Sequence, residues 1–409
     1  MRRKLRFATA ATVATGVAMG SLLTAPVTQA ADNTIVMWVD EKRAETYREL
    51  FADGYRGYKI TVVLKDFGKI RDDLATVTES AAPDVIVGAH DWVGALAANG
   101  SIVKLNVSQR AIQETAPYAM QGFRYGTGIY GMPTQIENVA MITNASLIKK
   151  QPETFADVST QALALKKSGK ATVPFAVPQG TNGDAYHMYP LFSGLGGYVF
   201  GTNPSGSVNP KKVGLDNPTF RKNENLINEW NKTGLINSKV DYGIAKDAFV
   251  AGKAPFWITG PWEYDALKGL KFKYRVTAVP PIVNGIKAVP FLGAQGFMVT
   301  KYAAIHGVQA GANSLVAEYM STAAAQEKLA GADKRTPANL KAAAKITDPL
   351  LKAFAAAGVG GVPMPNVPEM ASVWGALGGA WVNSTKGAGA VPAQKSFAQA
   401  QASVKKAIG

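Results

Sequence analysis

The sequence has 409 residues, of which 47% are hydrophobic and 18% are charged, so it is long enough for two domains with sizeable cores and does not resemble a disordered chain. It contains no cysteine, which excludes disulfides, thiolate metal sites and a cysteine nucleophile. The formal charge is +15, but the basic residues are scattered rather than arranged as a basic helix or an RNA-binding motif, so we predict no nucleic-acid partner.

The first 30 residues have the three-part layout of a secretory signal peptide. Basic residues within positions 2–6 precede an apolar, Ala-rich stretch over 7–23, and a small-residue site ends at Ala30. We therefore predict that 1–30 is a signal peptide rather than a membrane anchor, and that the protein is exported to the periplasm, the cell envelope or the medium. Many exported binding proteins of Gram-positive bacteria carry lipid on an N-terminal cysteine. Because this sequence has no cysteine, we also predict that the protein is not a lipoprotein.

The first part of the exported chain alternates between strand and helix patterns. The predicted strands cover 34–39, 60–64 and 84–87, and the predicted helices cover 41–51, 69–80 and 91–98. This alternation is typical of a parallel α/β sheet.

The same kind of alternation returns later in the chain. Helices are predicted over 161–168, 184–195, 220–233 and 245–250, and strands over 173–177 and 254–258. Residues 275–280 and 288–291, on either side of Asn284-Gly285, read as a hairpin. Beyond about 303 the chain is predicted to be mostly helical. We interpret the whole as two α/β lobes with a cleft between them.

Ligands of open α/β sheets bind beyond the carboxyl ends of the strands. Flat aromatic faces there would suit the C–H-rich faces of sugar rings, and neighbouring carboxylates could bond sugar hydroxyls. On pattern alone, Trp92 and Trp262 could equally pack between helix and sheet. The strand-end residues are Asp40, Glu41 and Lys42, then His90, Asp91 and Trp92, and then Gly260, Pro261 and Trp262.

Five segments of the sequence occur in a characteristic order. They are PDVIVGAHDW (83–92), VGLDN (213–217), DYGIA (241–245), ITGPWEY (258–264) and MPNVPEM (364–370), the last followed by Val373-Trp374. In this order they resemble segments of the maltose/maltodextrin-binding proteins of ABC sugar importers, within the extracellular solute-binding protein family 1. The resemblance runs from about residue 34 to the end of the sequence.

The resemblance implies a class II periplasmic-binding-protein fold, with two lobes that close on a ligand like a Venus flytrap. The N-terminal lobe would comprise 31–138 and about 292–340, and the C-terminal lobe 139–291 and about 341–409. It also implies a monomer without cofactor that binds maltodextrin-type oligosaccharides and delivers them to the permease subunits of an ABC importer. Cyclodextrin, trehalose and sucrose stay open as alternative sugars.

Ligand-binding roles follow from the resemblance one residue at a time. The acids implied to bond sugar hydroxyls are Asp91, Glu137 and Asp184. The aromatic residues implied to stack on sugar rings are Trp92, Tyr186, Trp262 and Trp374, with Tyr264 a weaker match. Further contacts are implied for Glu41, Lys42 and Arg71. Gly88, Gly375 and Gly378 depart from the side chains of the better-known members, and Gly88 replaces a Trp, which suggests a more open cleft.

An enzyme is the alternative to a binding protein. Asp91, Glu137 and Asp184 could supply the two carboxyls that a glycosidase needs, but the resemblance assigns them to hydroxyl bonding. The sequence lacks a zinc-binding H-E-x-x-H, a G-x-S-x-G nucleophile elbow and a phosphate-binding loop. His90 and His187 are interpreted as structural residues or as residues that support the ligand contacts, rather than as ligand contacts themselves. We therefore predict no catalytic residues, no metal and no enzymatic activity.

Overall fold

The computed structural model describes residues 33–409, so the predicted signal peptide lies outside the described residues. In this part of the chain the strands are β1 (Thr34–Asp40), β2 (Lys59–Lys65), β3 (Val85–Ala89), β4 (Arg124–Tyr125), β5 (Gly128–Ile129), β6 (Met132–Glu137), β7 (Ala140–Asn144), β8 (Phe200–Thr202), β9 (Val208–Val213), β10 (Phe256–Thr259), β11 (Tyr274–Thr277), β12 (Phe291–Val299), β13 (Thr336–Pro337) and β14 (Val362–Pro363).

Helices separate many of these strands along the chain. The α-helices are α1 (Ala44–Leu50), α2 (Ile70–Thr76), α3 (Val93–Ala98), α4 (Gln109–Gln113), α5 (Pro117–Gly122), α6 (Phe155–Lys167), α7 (Ala185–Gly194), α8 (Pro218–Asn223), α9 (Asn225–Thr233), α10 (Tyr242–Val250), α11 (Tyr264–Lys268), α12 (Tyr302–Ile305), α13 (Gln309–Asn313), α14 (Ala323–Asp333), α15 (Leu340–Ala344), α16 (Pro349–Ala357), α17 (Ala371–Thr385) and α18 (Ala393–Ile408). Short 3₁₀ turns cover Glu79–Ala81, His90–Trp92, Pro261–Glu263 and Pro368–Met370, and a π-helical turn covers Ser314–Tyr319.

The larger sheet has seven strands in the order β13-β6-β12-β3-β1-β2, with β14 paired to β12. Strand β1 runs parallel to β2 and β3, as the sequence predicts, whereas β12 runs antiparallel to both β3 and β6. The sequence did not indicate β12, because Gln295 and two glycines interrupt its apolar run and lower its strand propensity. The sheet is therefore mixed rather than parallel throughout.

The smaller sheet has three antiparallel strands in the order β10-β7-β11. The predicted hairpin is wrong, because β11 pairs with β7 and the residues from Phe291 onward enter β12 of the larger sheet. The predicted strand over 173–177 is also wrong, since only Ala176 forms a bridge, to Trp257. The predicted helix over 220–233 forms as two helices, α8 and α9, and the chain after 303 is mostly helical as predicted.

Each sheet has hydrophobic core on both of its faces, as expected for helices packed on two sides. Along β1, Ile35, Met37 and Val39 point into one cluster while Trp38 points into another, which is the alternation of a strand buried on both faces. In the smaller sheet Met141 and Ile142 face opposite clusters in the same way. The predicted α/β class is confirmed.

The large-sheet side is residues 33–138 and 292–340, which contain every strand of the larger sheet except β14. The small-sheet side is residues 139–291 and 341–409, which contain the three-stranded sheet. Within 33–409, none of the helices combines the length and the apolar character needed to cross a membrane.

Candidate functional site

A pocket of about 510 Å³ lies between the large-sheet side and the small-sheet side. Its walls include the carboxyl-terminal ends of three large-sheet strands, at Asp40, Ala89 and Glu137, and the turn after β10, at Trp262. The strand-end rule thus selects the right edge of the molecule. Two smaller pockets of the described chain, of about 270 and 240 Å³, have fewer charged residues in their walls.

The structure brings most of the predicted site residues together around this pocket. Those that line it are Glu41, Lys42, Arg71, Asp91, Trp92, Glu137, Asp184, Tyr186, Trp262 and Trp374. Tyr264 does not. Its hydroxyl donates to Asp348, 2.7 Å away, and its ring packs on the core of the small-sheet side. Over the two residues from Trp262 to Tyr264, a helical backbone rotates the side-chain direction by about 200°. Tyr264 therefore points away from the pocket that Trp262 faces.

Two tryptophans lie directly over glycines at the ends of strands. A Cβ on Gly88 would come within 2.1 Å of the Trp92 ring, and a Cβ on Gly260 within 2.2 Å of the Trp262 ring. The Trp92 ring also packs on Phe67 at a centroid distance of 5.0 Å and is only 7% exposed. Trp92 is therefore both a pocket wall and a core residue. Its ring occupies the space beside Gly88 that the sequence suggested would be open.

Asp91 connects the two sides of the pocket. Its Oδ2 accepts a hydrogen bond of 3.0 Å from Nε1 of Trp374, which belongs to α17 on the small-sheet side. Burial raises the pKa of Asp91, although His90, the Trp374 N–H and Arg71 act in the opposite direction. His90 itself is buried and bonded to the backbone of Ala294 and Met364, which agrees with its predicted structural role.

A network of buried charges and amides forms the large-sheet wall of the pocket. Arg43 is 1% exposed and donates to Asp40 at 2.5 Å, to Gln135 at 3.1 Å and to Gln295 at 3.4 Å. Burial alone would raise the pKa of Asp40, but the guanidiniums of Arg43 and Arg335 outweigh it and hold that pKa below its ordinary value. Asp40 is therefore a paired carboxylate.

Glu137 belongs to the same wall and has both carboxylate oxygens engaged. Arg335 donates to Oε2 at 2.8 Å, and the Gln295 amide donates to Oε1 at 2.9 Å. Sequence reasoning missed Arg43, Gln295 and Arg335. Arg43 had a local signal, its position three residues after Asp40, whereas the other two reach the pocket from β12 and from the turn before β13.

An ion pair crosses the pocket at its rim. Nζ of Lys42, on the large-sheet side, lies 3.1 Å from Oε1 of Glu263, on the small-sheet side. The Glu263 side chain is 1% exposed and is also held by Lys246 at 2.8 Å and by the Tyr242 hydroxyl. Burial opposes ionisation, yet these donors lower the pKa of Glu263, so it stays a carboxylate. Glu263 could not be predicted as a partner of Lys42, because 221 residues separate the two in the sequence.

Asp184 is the N-cap of α7. Its Oδ1 accepts the backbone N–H of His187 at 3.0 Å, and its Oδ2 lies 2.7 Å from Nδ1 of the same histidine. Burial raises the pKa of Asp184, but these contacts with His187 outweigh it and lower that pKa overall. The carboxylate that the sequence predicts as a sugar ligand therefore already has a partner on each oxygen.

Aromatic rings form most of the small-sheet wall. The centroid of the Tyr186 ring lies 6.1 Å from that of Trp262 and 6.3 Å from that of Phe291, which in turn lies 5.8 Å from Trp374. His187 stands edge-on to Trp262 at 5.6 Å. The Tyr186 hydroxyl and Nε2 of His187 are buried without a hydrogen-bond partner among the described residues. This wall combines flat apolar faces with unused polar atoms.

The arrangement suits the binding of a neutral polyol better than catalysis. Asp91, Glu137 and Asp184 are each hydrogen-bonded to a protein side chain, whereas a glycosidase needs one carboxyl free to protonate its leaving group. Among residues 33–409, no three or more His, Cys, Asp or Glu side chains are grouped so that they could hold a metal ion.

Comparison with known proteins places the chain among exported binding proteins. The sequence model described as "Bacterial extracellular solute-binding protein" matches residues 44–357. A maltooligosaccharide ABC transporter solute-binding lipoprotein of Streptococcus pneumoniae R6 is 28% identical over 83% of this chain and 81% of its own length. The maltodextrin-binding protein MdxE of Bacillus subtilis 168 is 31% identical over 72% of this chain and 70% of its own.

A relative named for a different sugar is similar over the same extent. The galactooligosaccharide-binding protein of Bacillus subtilis 168 is 25% identical over 83% of this chain and 82% of its own length. The similarity therefore extends to proteins named for glucose-based and for galactose-based oligosaccharides.

One part of the predicted location is contradicted. The absence of cysteine led us to predict that the protein is not a lipoprotein, but two Streptococcus pneumoniae relatives are named solute-binding lipoproteins. The prediction is therefore wrong as an inference from composition, since proteins with this similarity include lipoproteins. Export is supported, because the matching family is described as extracellular.

Proposed function

The chain belongs to the family of bacterial extracellular solute-binding proteins, and from this premise we propose that it is the sugar-binding component of an ABC importer and takes maltodextrin-type oligosaccharides. Proteins of this family and the similar proteins named above bind solutes and are not enzymes, so the prediction that the chain is not an enzyme is confirmed by its family. The permease subunits of the importer are its partners in this proposal.

The observation that carries the proposal is the contrast of surfaces inside the 510 Å³ pocket. Trp262, Tyr186 and Trp374 offer aromatic faces, which suit the C–H faces of sugar rings. Asp91 and Glu137 sit opposite them and can accept hydroxyl hydrogens. A volume of this size is within the usual range for sites that enclose a small ligand. The ligand-binding residues predicted from the sequence, apart from Tyr264 and Asp184, keep those roles in the proposal.

The two sides of the pocket correspond to two lobes in this proposal. The N-terminal lobe comprises 31–138 and about 292–340, and the C-terminal lobe comprises 139–291 and about 341–409. Support comes from the strand pairing, because every strand of the larger sheet except β14 falls in the first set and the three-stranded sheet falls in the second. We expect the class II fold, in which sugar binds one lobe and the other closes over it.

Three further features belong to the same proposal. Residues 1–30 are a signal peptide, the exported protein is a monomer, and it binds neither a cofactor nor nucleic acid. The closed form is stabilised by contacts that exist only when the lobes meet, such as those between Lys42 and Glu263 and between Asp91 and Trp374. A permease could then distinguish the loaded protein from the empty one.

Isothermal titration calorimetry of the purified chain tests the proposal. The panel is maltose, maltotriose, a cyclodextrin, trehalose, sucrose and a galactooligosaccharide. We expect saturable binding of maltotriose with a stoichiometry of about one and weaker binding of the non-maltodextrin sugars. Tighter binding of the galactooligosaccharide would transfer the proposal to that sugar class.

Chromatography of the same mixtures separates binder from enzyme. After prolonged incubation, maltotriose should be recovered intact, and the appearance of shorter sugars would refute a pure binding role. A chain that leaves every sugar of the panel unbound would remove the proposed function altogether.

A further inference from the structure

We propose that His187 contacts the sugar directly, through Nε2, and that Asp184 acts through His187 as a positioning residue rather than as a ligand of the sugar. This inference rests on the proposed function, since it concerns the same pocket. It reverses the roles that the sequence assigns to these two residues.

Asp184 already has a protein partner on each of its carboxylate oxygens. One carboxylate oxygen caps α7 through the His187 N–H, and the other lies 2.7 Å from Nδ1 of the His187 ring. A carboxylate is an acceptor, so the proton of the neutral ring must lie on Nδ1. Nε2 is then left with its lone pair and can accept a hydrogen from a hydroxyl.

Nε2 of His187 is buried and unpaired in a residue that lines the pocket. His187 is only 6% exposed, lines the pocket, and has no hydrogen-bond partner for Nε2 among the described residues. Leaving such a buried acceptor unpaired is unfavourable, which gives a hydroxyl donor in the pocket a reason to bind there. A histidine that were only structural would be expected to have both ring nitrogens bonded, as His90 has.

Two aromatic rings surround the imidazole of His187. Trp262 and Tyr242 stand edge-on to it, at centroid distances of 5.6 and 5.9 Å, so the imidazole is held in one orientation. The neighbouring Tyr186 hydroxyl is also buried and unpaired. Burial raises the pKa of Tyr186 well above its ordinary value, so its hydroxyl keeps its hydrogen and can donate. The wall therefore offers one acceptor and one donor beside a stacking surface.

Titration of three single variants and one double variant with maltotriose tests the assignment. His187→Phe keeps a ring of similar shape but removes Nε2, and we expect it to weaken binding about tenfold. His187→Gln retains a carbonyl acceptor and should recover part of that loss. Asp184→Asn can still cap α7, but its amide can donate to Nδ1, which would move the ring proton to Nε2 and turn the acceptor into a donor.

The double variant separates a positioning role from a direct contact. If Asp184 acts through His187, Asp184→Asn should weaken binding in the natural protein and have no further effect when His187→Phe is present. An equal loss in both backgrounds would assign the contact to Asp184 and overturn the inference, as would unchanged binding by His187→Phe. Circular dichroism and the Tm of each variant show whether it is folded.

A measurement on the natural protein gives an answer even if a variant fails to fold. The sequence contains three histidines, so ¹⁵N-histidine labelling yields a simple spectrum. We expect the His187 signals to show an Nδ1–H tautomer and Nε2 to shift when maltotriose binds. If the Nε2 chemical shift does not change although maltotriose binds, this inference is overturned but the proposed function stays intact. If maltotriose and the other sugars of the panel do not bind at all, both fail.

Discussion

The two walls of the pocket differ in whether their buried polar groups have hydrogen-bond partners within the protein. On the large-sheet side, Asp40, Arg43, Glu137 and Arg335 are charged, buried and bonded to one another or to glutamine amides. On the small-sheet side the wall is aromatic, and the Tyr186 hydroxyl and Nε2 of His187 have no hydrogen-bond partner among the described residues. One wall is complete without a ligand, whereas the other is completed by one.

The same difference extends beyond the pocket. Among residues 33–409, the buried side-chain atoms without a hydrogen-bond partner belong on the large-sheet side to Thr134, Asn313 and Asp333. Those on the small-sheet side belong to Thr143, Gln179, Tyr186, His187, Glu224, Trp257, Thr259 and Trp381. An unpaired buried polar atom costs about 1–3 kcal/mol, so a sugar hydroxyl that satisfies one regains part of that cost. We infer that the paired wall fixes the geometry of the site and that the unpaired wall supplies much of the gain on binding.

Removing Arg43 should give the largest effect, because it leaves a buried charge of the large-sheet wall unpaired. Arg43→Met leaves Asp40 buried without its cation, and we expect the free energy of unfolding to fall by about 3–5 kcal/mol. Urea unfolding monitored by circular dichroism measures it. The matched control is Lys42→Met, since Lys42 is adjacent but 38% exposed and should change stability little. A loss no larger than the control's would show that the network is not a structural element.

Removing Trp262 tests the second wall in the opposite sense. Trp262→Ala should leave the fold intact, because this ring is only partly buried, but should weaken maltotriose binding by about 1–3 kcal/mol. Calorimetry measures the change. Tyr264→Phe is the control, since Tyr264 bonds Asp348 outside the pocket and should bind as the natural protein does. Equal affinity of both variants would remove Trp262 from the site.

How much of this could be predicted depends on how far apart the partners lie in the sequence. Asp91, Trp92 and Trp262 follow strands directly, so a rule about strand ends finds them. Gln295 and Arg335 could not be found in this way, because each belongs to the site through its bond to Glu137. Glu137 lies 158 residues before Gln295 and 198 residues before Arg335. His187 has a local partner in Asp184, three residues before it, but the sequence does not show that its ring lines a pocket with Nε2 buried and unpaired.

The fold shows the same limit. The βα alternation predicted β1, β2 and β3, whereas β12 was missed because its pairing with β3 and β6 depends on segments over 150 residues away, and its own residues carry little strand signal. The hairpin failed for the same reason, since Phe291 starts a strand of the other sheet. The prediction for Tyr264 failed over a shorter distance, because two residues of helix or turn rotate its side chain by about 200° relative to that of Trp262.

Asp91 allows the comparison to be sharpened, because it lies on the paired wall but reaches across to Trp374. Asp91→Asn keeps an oxygen acceptor for the Trp374 N–H and loses the charge, so we expect maltotriose binding to weaken about five- to tenfold. Calorimetry at pH 7 provides the measurement. Unaltered affinity would mean that the negative charge of Asp91 is not used for binding.

The stability of the same variant should change in the other direction. Burial raises the pKa of Asp91 above its ordinary 3.8, so the folded protein holds this proton more tightly than the unfolded chain does. Stability is therefore lost as pH rises from about 3.8 through the raised pKa, and the loss persists at neutral pH. Asp91→Asn should have a higher Tm than the natural protein at pH 7, with the difference shrinking as the pH falls towards 4.

The smallest effect is expected at the ion pair where the two walls meet. Lys42→Met removes the cation that crosses to Glu263, but Lys246 and the Tyr242 hydroxyl still hold that carboxylate on its own side. Since Lys42 is partly exposed, we expect a loss of at most about 1 kcal/mol in maltotriose binding, and less in high salt. Lys246→Met is the matched control, because it removes a cation from the same carboxylate without breaking a contact across the pocket. If the pair helps to hold the walls together, only Lys42→Met should speed sugar dissociation in stopped-flow fluorescence. Equal rates for the two variants would show that neutralisation of the Glu263 charge, and not the contact across the pocket, controls dissociation.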